Sequence, residues 1–194
     1  SGASVYLREV IIKKSVEGVN ASCSKAWIES SRIQGASDNG INISGATNYR
    51  IVNSSVTFSG SATAPHGVNL SGTSKGYFAF NTIAKNTAGV SCSAAQRISD
   101  SVVSTNLGSQ IDAACSKARV NEAVVINAGT GASPTEPALM SVADEALLVD
   151  KTTPGEVEAD LKALQPLQIK ISNDYALTAR PKGNGYDIGY KEIR

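Results

Sequence analysis

Ile51-Val52-Asn53-Ser54-Ser55-Val56 carries the pattern that decides the fold: apolar, two variable positions, a small residue or Asn, one variable position, apolar. The same frame recurs without a gap from Leu7 to Ile12, Ile28 to Ile33, Phe78 to Ile83, Ile98 to Val103 and Val120 to Val125. Successive copies begin 21, 23, 27, 20 and 22 residues apart. Between them a second element returns: Gly18-Val19-Asn20, Gly40-Ile41-Asn42, Gly67-Val68-Asn69, Gly89-Val90-Ser91 and the degenerate Gln110-Ile111-Asp112. A third follows, read as Cys23-Ser24, Ile43-Ser44, Leu70-Ser71, Cys92-Ser93 and Cys115-Ser116.

Each repeat thus holds three short apolar–polar alternations divided by Gly, Asn or Ser. Alternation of period two in runs this short means strands, not helices. Three strands per repeat of roughly 22 residues describe a solenoid, with rungs stacked as parallel strands about 4.8 Å apart. The uneven spacings place insertions in loops, the longest being Thr57 to His66. Equivalent residues stack, so the first and last apolar positions of each frame should face inward. So should Val10, Ser31, Ser54, Asn81, Ser101 and Ala123, and a buried Ser or Asn column has to be hydrogen-bonded along the stack.

The pattern resembles the right-handed parallel β-helix of the pectate-lyase-like superfamily, over about residues 5 to 126. The ending Gly185-Tyr186-Asp187-Ile188-Gly189-Tyr190-Lys191-Glu192 looks like the D-I-G-A-x-E close of many secreted bacterial β-helix proteins, with Tyr190 in the usual place of Ala. The resemblance implies an all-β solenoid, and the six copies of the frame give it about six rungs. It also implies a secreted or cell-surface protein directed at a polysaccharide, among them lyases that cut acidic glycans by β-elimination. Two functions follow from it. One is a polysaccharide lyase, or the C-terminal part of one. The other is a non-catalytic carbohydrate-binding or adhesin-like module. The sequence leaves open whether the chain is an enzyme, and no catalytic residue is carried over, because the family's Lys/Arg catalytic pattern is not matched.

Composition narrows the partners. The chain has 194 residues and a formal charge of +1, which gives no general pull toward nucleic acid or anionic lipid. No apolar run approaches a membrane span. Ser1 to Ser4 shows neither an initiator Met nor a signal-peptide pattern. The expectation is therefore a piece of a longer protein, or a first rung covered by a missing segment or another chain.

Past Asn127 the repeat stops. Residues 1 to 126 form the rungs and 127 to 194 a C-terminal cap of the same domain. Gly129 to Pro137 reads as a loop, and 138 to 149 as either strand or helix. Pro154 to about Leu164 reads as a short capped helix, and Leu167 to Ile171 as a strand. Three Cys and one His, with no C-x-x-C, give no zinc pattern and no cofactor motif. Cys23, Cys92 and Cys115 are placed in the column of Ile43 and Leu70. Cys92 and Cys115 fall within disulfide range on adjacent rungs, but parallel side chains favour two free thiols.

Candidate chemistry is sparse. His66, in the longest insertion, has the reach of a general base if it is more than a solvated loop residue. Asp100 above Glu122, a rung apart, would suit Ca²⁺, and Arg97 above Arg119 a uronate carboxylate; a self-compensating charge cluster reads as well. The outward position before each first apolar residue carries Tyr6, Trp27, Arg50, Tyr77, Arg97 and Arg119. Sugars pack on aromatic rings and Arg grips carboxylates, so this strip is the expected substrate-binding track. The same residues also suit cross-strand packing on a flat sheet.

Overall fold

In the computed structural model, the residues described are 2–45, 48–72, 76–96, 98–99, 101–104, 106–115, 123–126 and 179. Fifteen short strands follow one another: β1 Ser4–Arg8, β2 Ile11–Lys13, β3 Val19–Ala21, β4 Lys25–Glu29, β5 Arg32–Gln34, β6 Ile41–Ser44, β7 Asn48–Val52, β8 Ser55–Thr57, β9 His66–Ser71, β10 Gly76–Ala79, β11 Thr82–Ala84, β12 Ala88–Cys92, β13 Ile98–Ser99, β14 Ser101–Ser104 and β15 Ala123–Ile126. Every third strand pairs in parallel with its equivalent. Sheet A runs β1-β4-β7-β10-β13, sheet B β2-β5-β8-β11-β14-β15, and sheet C β3-β6-β9-β12. The chain is a parallel β-solenoid, as the repeat requires.

Four rungs carry all three strands. The fifth has β13, β14 and a single bridge from Val90 to Ile111, and the sixth is represented by β15 against β14. Among the described residues, four full rungs stand against the six expected, and beyond β12 sheet C continues only as the single Val90–Ile111 bridge. The expected cap, the helix from Pro154 and the strand from Leu167 lie outside the described residues.

The register follows the repeat. Leu7, Ile28, Ile51, Phe78 and Ile98 stack on sheet A, and Ile12, Ile33, Val56, Ile83 and Val103 on sheet B. From the second rung onward these side chains are 0–2% exposed and form the core. Leu7 and Ile12, in the first rung, pack against it only partly.

The corners are built by left-handed residues. Ser30, Asn53 and Phe80 (φ 47, 52 and 55°) turn sheet A into sheet B, and Gly35, Phe58 and Lys85 (φ 69, 58 and 58°) turn sheet B into sheet C. One such residue between extended segments bends the chain sharply without interrupting the stack. After each bend a buried polar residue serves the rung before it. Ser31 Oγ accepts the Val10 N–H at 3.3 Å, Ser54 Oγ the Ser31 N–H at 3.2 Å, Asn81 Oδ1 the Ser54 N–H at 2.9 Å and Ser101 Oγ the Asn81 N–H at 3.1 Å. The second corner repeats the device through Ser59, Asn86 and Asn106. The expected polar column is real, but it pairs side chain to main chain, satisfying the amides that the bends release from the ladders.

The Gly of the second element is needed for close approach between rungs. A Cβ on Gly40 would lie 2.2 Å from Val56 Cγ1 and 2.7 Å from Gly67 O.

Cysteine placement differs from expectation twice. Ala21, not Cys23, pairs with Ile43 in the column that continues through Leu70 to Cys92. Cys23 and Cys115 each lie two residues further along their repeats. Cys92 and Cys115 form a disulfide with Cα atoms 5.2 Å apart, and Cys23 is the free thiol. Parallel stacking did not prevent the bond, because Cys115 sits in a turn, its N–H donating to Asp112 O at 3.0 Å. Its side chain is not held to the direction a ladder would impose.

Candidate functional site

The outer faces differ in openness. Many outward residues of the later rungs are buried: Val52, Tyr77 and Ala79 on sheet A, where Asn48 and Arg50 stay partly exposed, and Ser55, Thr57, Thr82, Ala84, Val102 and Ser104 on sheet B. In the first rung the equivalent Tyr6 and Ile11 are 57% and 58% exposed. Sheet C keeps its outward residues at least partly exposed in all four rungs.

The strip on sheet A is in register where it can be followed. Tyr6 pairs with Trp27, Trp27 with Arg50, and Arg50 with Tyr77. The Tyr6 and Trp27 rings meet edge to face, centroids 5.0 Å apart and planes at 82°. Trp27 Nε1 is buried with no hydrogen-bond partner among the described residues, so the indole offers ring rather than N–H. Arg50 Nε pairs with Glu29 Oε1 at 2.9 Å. Burial pushes the Arg50 guanidinium below its ordinary value, with Glu29 and Tyr77 opposing and Arg8 adding to the fall. It remains charged. Tyr77 is 1% exposed and presents no surface. Arg97 and Arg119 lie outside the described residues, as do Asp100 and Glu122 and the Ca²⁺ reading placed on them. The solvent-facing part of the strip is therefore Tyr6, with Trp27 and the ion-paired Arg50 partly exposed, flanked on the same outer face by exposed Lys25 and Arg8.

His66 opens β9 on sheet C. Its Nε2 lies 3.9 Å from Asp112 Oδ2, and Asp112 Oδ1 accepts from Ser109 Oγ at 2.8 Å. Burial lowers the imidazole's affinity for protons and Asp112 partly restores it. Sequence reading singled out His66 without Asp112. The signal was present: Gln110-Ile111-Asp112 aligns with the Gly-x-Asn element, which puts Asp112 in the outward row of sheet C.

Among the described residues no group of three or more His, Cys, Asp or Glu could hold a metal ion, and no helix is long and apolar enough to cross a membrane. No protein family, curated protein or solved structure matches the chain.

Proposed function

We propose that this β-solenoid binds an acidic polysaccharide outside the cell, as a binding module, on the outer face of sheet A over its first two rungs. The observation that carries the reading is the edge-to-face Tyr6–Trp27 pair, Tyr6 exposed and Trp27 half-buried, aligned along the solenoid axis between Lys25 and Arg8. Aromatic rings take the apolar C–H faces of sugars. Rungs about 4.8 Å apart let successive side chains meet successive monosaccharides. Glu29 already neutralises Arg50, and Arg8 pairs with Glu9 at 3.3 Å on the surface, so Lys25 is the cation left to meet a carboxylate, with Arg8 able to exchange its exposed partner for one. The Cys92–Cys115 disulfide supports an oxidising, extracellular setting. A lyase needs a base beside the bound uronate, and His66 stands on sheet C, not on this track.

The test is a titration of Trp27 fluorescence, the only Trp in the chain, with oligogalacturonate and oligoalginate at low and high salt. Binding should quench or shift the emission and weaken severalfold with salt, since exposed ion pairs contribute under about 1 kcal/mol each. Lys25→Ala with Arg8→Ala should remove most of the salt dependence, and Trp27→Ala most of the affinity. An emission unchanged by every acidic glycan defeats the proposal. Ultraviolet absorbance from a new C4–C5 double bond would replace it with the lyase.

A further inference from the structure

Sheet C presents a different surface. Its outward rows are Asn20, Asn42, Asn69 and Ser91, and beside them Ser22, Ser44, Ser71 and Ser93, while Ala21, Ile43, Leu70 and Cys92 between them are buried. Neither row holds a charge over these four rungs. The Asn row is hydrogen-bonded in one direction. Asn69 Nδ2 donates to Asn42 Oδ1 at 3.0 Å. Asn42 Nδ2 lies 3.4 Å from both Asn20 Oδ1 and Glu17 Oε1, and Asn20 Nδ2 donates to Glu17 Oε2. A carboxylate only accepts, so Glu17 forces Asn20 to turn its nitrogen toward it and its Oδ1 along the row to Asn42, and that choice orients Asn42 and then Asn69. The amides cannot flip independently. Among the described residues, Asn69 is left with one N–H and its whole Oδ1, Asn20 with one N–H, and each oxygen in the row with at least one lone pair.

From this geometry we infer that the outer face of sheet C is a second, independent binding track, for an uncharged extended polysaccharide lying along the solenoid axis. A vicinal diol offers donor and acceptor together, which is what an oriented amide beside a serine hydroxyl complements. The amides are held before binding, so little rotamer freedom is lost on contact. The repeat of about 4.8 Å presents the same pair of groups at each sugar. The absence of charge from both rows selects against the acidic polymers proposed for sheet A and makes binding insensitive to salt.

The experiment follows the side-chain amide NMR signals of the full chain during titration with cellohexaose, xylohexaose and, as comparator, oligogalacturonate. The expected result is movement of the Asn20, Asn42 and Asn69 signals with a neutral oligosaccharide, at unchanged affinity in high salt, while Trp27 stays still. Asn69→Val should weaken binding at least tenfold. Glu17→Gln, which frees the row to reverse, should weaken it severalfold without touching the sugar-facing groups. Should Asn69→Val fail to fold, Ser71→Ala replaces it, with a severalfold loss expected. No movement with either neutral sugar overturns the inference, as does movement with oligogalacturonate alone. Freezing-point depression without any sugar-induced shift would also overturn it, assigning the face to ice. A silent sheet A leaves these outcomes unaffected, because Trp27 reports that face separately.

Discussion

The ring of Tyr49 occupies the space in which Gly76, its partner on the next rung, would carry a side chain. A Cβ on Gly76 would lie 1.9 Å from Tyr49 Cε1, and the ring is held there by a hydrogen bond from Tyr49 Oη to Gln96 Oε1 at 3.0 Å. Burial raises the Tyr49 pKa far above its ordinary value, so the phenol stays protonated and donating. Gly76→Ala should therefore destabilise the fold by about 1–3 kcal/mol through overpacking. Tyr49→Leu combined with Gly76→Ala should cost less than the sum of the two changes, by urea denaturation, because the Leu side chain vacates the clash. Strict additivity would show that the two residues do not compete for space.

Asn81 tests the corner ladder. Its Oδ1 accepts the Ser54 N–H at 2.9 Å and its Nδ2 donates to Ile51 O at 2.8 Å, with all three groups buried. Asn81→Ala strands two main-chain groups, each worth about 1–3 kcal/mol. The expected loss is on the order of 3 kcal/mol in the denaturation midpoint analysis. Asn81→Ser should recover about half, since Ser54 and Ser31 already play the acceptor's part in the earlier rungs.

The disulfide makes two predictions. A thiol reagent should find one free thiol per native chain, Cys23, rather than three. Cys92→Ser with Cys115→Ser should lower stability by about 3 kcal/mol, from the unfolded-chain entropy of a loop with sequence separation 23. Three reactive thiols in unreduced protein would contradict the bond.

His66 is the single histidine, so its titration is read from one imidazole signal. Burial lowers its folded pKa below the unfolded value of about 6.5. As pH falls, the unfolded chain binds the proton first, so stability is present above about pH 6.5 and declines below it. The decline ends once the folded state is protonated as well. Asp112→Asn removes the influence that raises the pKa, and the NMR midpoint should move further down. His66→Gln should abolish this component of the pH dependence. A wild-type midpoint above 6.5 would reverse the sign of both expectations.

What the sequence determined by itself is the solenoid and its register. Alternation of period two sends Ile28, Ile51 and Phe78 inward, and the recurring frame stacks them despite uneven spacing, because a parallel ladder aligns whatever the repeat aligns and the loops absorb the extra residues. The polar column at Ser31, Ser54 and Asn81 was legible for the same reason. Tertiary structure decided what alternation does not encode. Left-handed corners fall on Phe58, Phe80 and Lys85, residues with no turn signature of their own, since the stacked rungs on either side dictate the bend. Exposure of the strip was also invisible: Tyr6 and Tyr77 occupy the same column, yet one faces water and the other is buried, because position in a column says nothing about what lies outside it. Cys115 reached Cys92 because a turn, which the repeat alignment read as strand, freed its direction. His66 and Asp112 approach to 3.9 Å from two rungs apart and from different columns, His66 in that of Ala88 and Asp112 in that of Ser91, a relation that no spacing along the chain records.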